Sequence, residues 1–219
     1  GVLTPIMPGA DSGEGFTSTP APTLESGEGA PPVLPVGYER RTLLTFAPRN
    51  AYDFVWVPSL SWSPDGAFIA TTAHGSPLGV ESPEDSPIFD LTILPHWGGY
   101  SVGLVERAGM WALPQFSPGV DSEGNLLESM IAFLKAIDPL DSVVGRYRLA
   151  VIDRDGSNER IVFPPEDEPG LQPHLFTWSP DGRQIALIYQ GNLYLLDVGT
   201  GLTQQISGDG LSSSPRWTR

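Results

Sequence analysis

The phrase WSPDG occurs twice, at residues 62–66 and 178–182, and each copy leads into a run that reads as a strand, AFIATT in one case and RQIALIY in the other. A reacting centre needs one set of groups, so a phrase repeated with strand-like flanks marks a unit of construction. Its letters describe a hairpin corner. Pro64 and Pro180 preset φ at the second turn position, Ser63 and Ser179 are placed to cap the turn, and Gly66 and Gly182, after Asp65 and Asp181, supply positive φ. The tryptophan ahead of each corner, Trp62 or Trp178, ends the preceding strand with a ring suited to packing between neighbouring sheets.

The rest of the composition fits short strands and many turns. The chain has 25 glycines and 23 prolines in 219 residues, well above the roughly 12% that these two types usually share. Its 26 acidic against 12 basic side chains give a formal charge of −14, which repels phosphate backbones and argues against nucleic acid as a partner. With no cysteine, disulfide frameworks and thiolate metal sites are excluded. No apolar run approaches the roughly 18 residues of a membrane span.

Residues 1–36 are rich in Pro, Gly, Ser and Thr, carry SGEG twice, and show neither apolar period. Such a segment buries too little apolar surface to offset its ordering entropy, and it reads as a tether to a membrane or a larger complex. Leu3, Ile6, Met7 and Phe16 would anchor it if it lay along the folded body. Residues 37–219 then divide into a partial unit at 37–58, with ERRTLLTF as an outer strand, full units at 59–108, 109–165 and 166–207, and a partial unit at 208–219.

The third unit is the clearest. HLFTW, the corner, QIALIY, the QGN turn, LYLLDV, the GTG turn and LTQQIS form a four-stranded meander. SSSPRW then reads as the opening strand of a further unit, with Trp217 following Trp178 by 39 residues (217 − 178). The first unit carries an insertion at 74–87. In the second, Phe116 and Pro118 stand in the corner but the Asp-Gly pair has drifted. Within it, NLLESMIAFLKAI also has apolar residues at helical spacing, so a short helix competes with a strand there.

WSPDG before an apolar strand, followed by LYLLDVGTG and LTQQIS, resembles the TolB-like, WD-repeat-like β-propeller repeat, and YRLAVIDRDGSNERIVF is similar to the later half of such a repeat. The resemblance covers about residues 38–219. It implies an all-β fold, a β-propeller of four-stranded antiparallel blades with about three full blades and a partial one. Propellers usually close with four to eight blades, so the resemblance further implies a fragment of a longer protein, or an arc left open or completed by another chain. It also suggests an extracytoplasmic location, periplasmic or at the cell surface.

Candidate chemistry is sparse. DRDGSNE places Asp153, Asp155, Ser157, Asn158 and Glu159 within seven residues, but an EF-hand needs Gly at position 6 and Glu at 12, where Gly156 falls at 4 and Pro164 at 12. A hairpin turn explains the same letters. GVDSEG misses the Gly-x-Ser-x-Gly elbow because Val120 occupies the first glycine position. His74, His96 and His174 are scattered and form no local ligand pair. Glu81, Glu84, Asp85, Glu166, Asp167 and Glu168 read as solvated loop charges. No catalytic residue, metal or cofactor is expected.

Of the six tryptophans, Trp62, Trp178 and Trp217 are explained by the repeat as core residues. Trp97 and Trp111 have no slot in it. With Tyr100 and Met110 they are expected to line an exposed patch for a protein partner. The expected function is therefore a non-enzymatic interaction or scaffold module that presents its loops, chiefly 74–87 and 96–113. Its rivals are the accessory propeller of a larger, hydrolase-like enzyme and a structural subunit that completes its ring within an assembly.

Overall fold

The computed structural model of the chain describes residues 42–43, 59–74, 88–120, 124, 129–174 and 176–217. The expected tether, the insertion from residue 75 to 87, Trp56 and all of the expected outer strand but Thr42 and Leu43 lie outside these residues; neither of those two is in a strand. Twelve strands form three four-stranded antiparallel sheets, each a meander in chain order. The first sheet holds β1 (Leu60–Trp62), β2 (Phe68–His74), β3 (Phe89–Pro95) and β4 (Val102–Val105). The second holds β5 (Gln115–Phe116), β6 (Met130–Ala136), β7 (Tyr147–Asp153) and β8 (Arg160–Phe163). The third holds β9 (Thr177–Trp178), β10 (Gln184–Tyr189), β11 (Asn192–Asp197) and β12 (Thr203–Gln205).

Met130–Ala136, where a helix competed on paper, is the strand β6, paired along its full length with β7. Its apolar run has a simple cause. Ile131 and Phe133 belong to the core shared with the first sheet, whereas Ala132 and Leu134 belong to the core shared with the third. A strand buried on both faces needs apolar residues at every position, and the two-residue alternation disappears from its sequence. β7 divides in the same way, Ala150 and Ile152 to one side and Leu149 and Val151 to the other.

Both WSPDG corners adopt one hydrogen-bonded form. The Ser63 hydroxyl donates to Asp65 Oδ1 at 2.6 Å and accepts from Phe68 N at 2.8 Å, while Ala67 N donates to the same carboxylate. At the other corner Ser179 bonds to Asp181 and accepts from Gln184 N, and Arg183 N donates to Asp181. Gly66 and Gly182 have φ of +67° and +69°, the left-handed region that a side chain would strain.

Tryptophan links the sheets. Trp178 Nε1 donates to the carbonyl of Gln115 at 3.1 Å, one residue before Phe116 in the neighbouring sheet. Trp217 Nε1 donates to the carbonyl of Thr177 at 3.2 Å, one residue before Trp178. The same link is thus made twice, one unit apart. Between the first and second sheets Phe116 has no ring N–H, and there Phe116 N donates to the Ser61 hydroxyl instead.

Two expectations change. Trp217 occupies its repeat position without a strand, since no strand is formed over 212–217, and its ring is only half-buried. Trp62 was expected in the core but is 55% exposed, against 7% for Trp178. The difference is positional. Trp178 has the second sheet beside it, whereas the indole of Trp62 finds no such carbonyl among the described residues.

A further tie runs from the second sheet to the first corner, where Arg154 pairs with Asp65 at 2.5 Å and lies over the Phe68 ring. The Ser63 hydroxyl, the Ala67 N–H and Arg154 together hold the Asp65 carboxyl at a pKa of about 2. A carboxyl with a value below that of the unfolded chain stabilises the fold above about pH 4, and that contribution is lost as pH falls toward 2. Asp65→Asn should therefore lower the thermal midpoint at neutral pH, with the deficit shrinking below about pH 4 and vanishing near pH 2. Melting curves of the two proteins across that range check it.

Candidate interaction surfaces

Every strand in these sheets runs between two ends, and the connections divide accordingly. The WSPDG corners share one end with the β3–β4, β7–β8 and β11–β12 turns. The β6–β7 connection at 137–146, the inter-sheet connections at 106–114 and 164–176, and the tight turn at Gln190 and Gly191 lie at the other.

Trp97 and Tyr100 stand exposed in the β3–β4 turn at the corner end. The turn is fixed by His96 N donating to Ala67 O and Gly98 N to Pro95 O, with Leu43 O accepting from Gly99 N. The His96 ring meets Trp97 edge-on at 5.0 Å, and Phe68 lies 6.3 Å from the same ring. Met110 and Trp111 belong to the opposite end. Met110 is buried, and Trp111 is half-buried with its Nε1 donating to Val143 O. The four residues expected to share one patch are thus not brought together.

The loop at 106–114 is structural. Ala108 and Ala112 are fully buried, and their carbonyls accept from Ala136 N and Leu134 N. A Cβ on Gly109 would meet Ala136 Cβ at 2.7 Å and the Tyr147 ring at 2.9 Å. Deleting 96–113 would therefore remove part of the core, and only point substitutions can test this region.

The remaining sites expected to be unreactive have ordinary surroundings. In the DRDGSNE turn Ser157 bonds to Asp155, and Asn158 to Asp153, closing the β7–β8 hairpin. His174 bonds to Gln172, and the His96 ring lies at hydrogen-bond distance from the Ala67 carbonyl beside the first corner; the side chain of His74 lies outside the described residues, as do Glu81, Glu84 and Asp85. Glu166, Asp167 and Glu168 are exposed on a loop whose backbone Arg148 grips through the carbonyls of Pro164, Pro165 and Glu166. Among the described residues no group of three or more His, Cys, Asp or Glu could hold a metal ion, and no helix is long and apolar enough to cross a membrane.

One surface was not foreseen. The connection from Ile137 to Arg146 includes a single 3-10 turn, Pro139–Asp141, whose start is capped by Asp138 accepting from Leu140 N. Behind it the fully buried Tyr147 donates its hydroxyl to Ser142 O and accepts from Trp111 N. The buried Ser142 hydroxyl accepts from Met110 N at 3.1 Å. Burial also pushes the Tyr147 phenol above its ordinary pKa. On this braced frame Ile137, Leu140, Val143 and Val144 are 49, 58, 52 and 78% exposed. A cleft of about 520 Å3 lies beside it, lined by Arg146, Gly170, His174, Tyr189 and Gly191 among others.

Repeated corners, four-stranded meanders and tryptophan links between sheets define an all-β array of repeated four-stranded antiparallel units. In sequence its repeats are TolB-like. No protein-family model matches the chain. It is 32% identical over 93 residues to Tol-Pal system protein TolB of Francisella tularensis subsp. mediasiatica (strain FSC147), covering 40% of this chain and 21% of that protein. It is 33% identical over 86 residues to Tol-Pal system protein TolB of Coxiella burnetii (strain RSA 493 / Nine Mile phase I), covering 37% of this chain and 19% of that one. The chain thus matches about a fifth of the length of these curated relatives. A crystal structure of TolB from Acinetobacter baumannii aligns over 72% of this chain and 33% of that chain, at 17% identity and a TM-score of 0.46.

Replacing Tyr147 by Phe should release Ser142 O and Trp111 N together. Amide hydrogen exchange over residues 138–145 is then expected to quicken while β6 and β7 remain protected, with global stability reduced by about 1–2 kcal/mol. Exchange mass spectrometry with a urea titration reads both.

Proposed function

We propose that the chain is a non-catalytic interaction and scaffold module of the TolB-like propeller kind, placed outside the cytoplasm, that presents the loops at its sheet ends to a protein partner. The observation that carries this reading is the exposure of Trp97 and Tyr100 on a turn fixed by backbone hydrogen bonds. Rigid aromatic side chains cost little entropy on docking and are enriched where binding energy concentrates. The sheet faces, by contrast, are largely used in packing one sheet on the next. The relatives' names, which assign them to a Tol-Pal system, support a role among other proteins.

A second reading rests on Trp62. Its exposed ring and the exposed Leu60 lie on the face of the first sheet away from the second, a face against which no other sheet packs among the described residues. There the link made by Trp178 would seat a further four-stranded unit. This favours a structural role in which another unit or another chain completes a ring.

The test is photo-crosslinking in the native host, with the reactive residue placed in turn at Tyr100 and at Gln190 of the full-length protein. A defined protein should be captured, and Trp97→Ala should lower its yield from the Tyr100 position by about tenfold or more. Absence of any captured protein at both ends, together with hydrolase activity in the full-length protein, would replace this reading with that of an enzyme's accessory domain. Capture solely of the protein's own subunits would favour ring completion.

A further inference from the structure

Four aliphatic side chains in a row of eight residues, exposed on a loop that the core holds rigid, are costly to leave in water without a purpose. Leu140, Val143 and Val144 stay more than half exposed on a frame fixed by Asp138, Ser142 and Tyr147, and Ile137, half exposed, lies against Gly170 of the neighbouring loop. Contiguous apolar surface of this kind marks contact with another molecule. The surrounding charge says what kind. Asp138 and Asp141 are exposed between the aliphatic residues. The 164–170 loop, which approaches so closely that a Cβ on Gly170 would lie 2.5 Å from Ile137 Cδ1, brings Glu166, Asp167 and Glu168. Against these five carboxylates stand Arg146 and Arg148, and the Arg148 guanidinium is engaged by the carbonyls of Pro164, Pro165 and Glu166. On the other side of Ile137 stand Lys135 and Arg160, of which Lys135 is paired with Glu159 and Arg160 donates to Val198 O, so the carboxylates still outnumber the bases around the loop.

We propose that the braced 137–144 loop is an apolar knob for a basic protein partner, one whose apolar groove is rimmed by lysine or arginine. This deepens the interaction-module reading and rests on it. A second copy of the chain fits poorly, because a two-fold contact through this knob would set the same carboxylates against each other. An anionic lipid surface would be repelled by the same groups.

The experiment uses the folded, 15N-labelled chain and two designed amphipathic helices as probes, one of leucine and lysine and one of leucine and glutamate with the same apolar pattern. The leucine–lysine helix should shift amide resonances centred on 137–146 and 166–170, and the leucine–glutamate helix should not. Raising salt from about 50 mM to about 300 mM should weaken binding about five-fold, leaving a residual apolar contribution. The triple variant Leu140→Asn, Val143→Asn, Val144→Asn should lose about tenfold in affinity. Val144→Ser alone, which touches no bracing group, should lose a smaller but measurable part and guards against misfolding of the triple variant.

Shifts spread over the whole acidic surface, or binding unchanged in both variants, would overturn the proposal. So would loop-dependent binding to phosphatidylcholine vesicles, which assigns the knob to lipid, or a dimer in sedimentation equilibrium that these variants abolish. If crosslinking at Tyr100 captures a partner while this loop binds nothing, the knob fails and the interaction-module reading stands. If no partner is captured anywhere yet the helix binds here, the loop's chemistry survives and the wider reading fails.

Discussion

The bond from an indole N–H to the carbonyl of the neighbouring sheet is the contact on which the rest of this architecture depends. Trp178 makes it to Gln115 and Trp217 makes it to Thr177, so the third unit and the segment after it each read the position of the one before, while Phe116 N and the Ser61 hydroxyl take that place between the first two sheets. Burial supplies most of the energy, because the ring of Trp178 fills the core between the second and third sheets. The hydrogen bond supplies direction. Apolar packing alone would tolerate sliding of one sheet along another, whereas a single donor aimed at a single carbonyl sets their register.

That register determines what the sheet ends expose. With adjacent sheets locked along their first strands, the connections gather at two ends, the corners and aromatic turn at one and the braced 137–146 loop at the other. Arg154 and Arg160 extend the lock from the second sheet, the first reaching the Asp65 corner and the second the carbonyl of Val198 in the third. The loops that remain free are therefore held on a rigid base, which reduces the entropy lost when a partner docks.

Much of this was legible in the sequence wherever the chemistry was local. The Ser-Pro-Asp-Gly letters carry their own turn, and the β-runs on either side of QGN and GTG name their strands. What failed to show was whatever depends on a distant neighbour. Nothing near Trp62 distinguishes it from Trp178, because their different exposure is set by which sheet stands alongside. The apolar run of β6 suited a helix as well as a strand, since burial on both faces removes the alternation that separates them. Met110 looked like a partner for Trp97, though a Ser142 hydroxyl 32 residues away places its backbone at the opposite end. The letters IDPLDSVVG do not say whether their aliphatic residues are covered or exposed; only the buried Tyr147 behind them shows that the loop is held open.

The indole protons report on the central link directly. In a 15N spectrum of the uniformly labelled chain, exchange of the Trp178 indole proton with solvent is expected to be slow, that of Trp217 intermediate, and that of Trp62 fast. A Trp178 indole proton that exchanges as quickly as that of Trp62 would contradict the account, because the sheets could not then be joined through it.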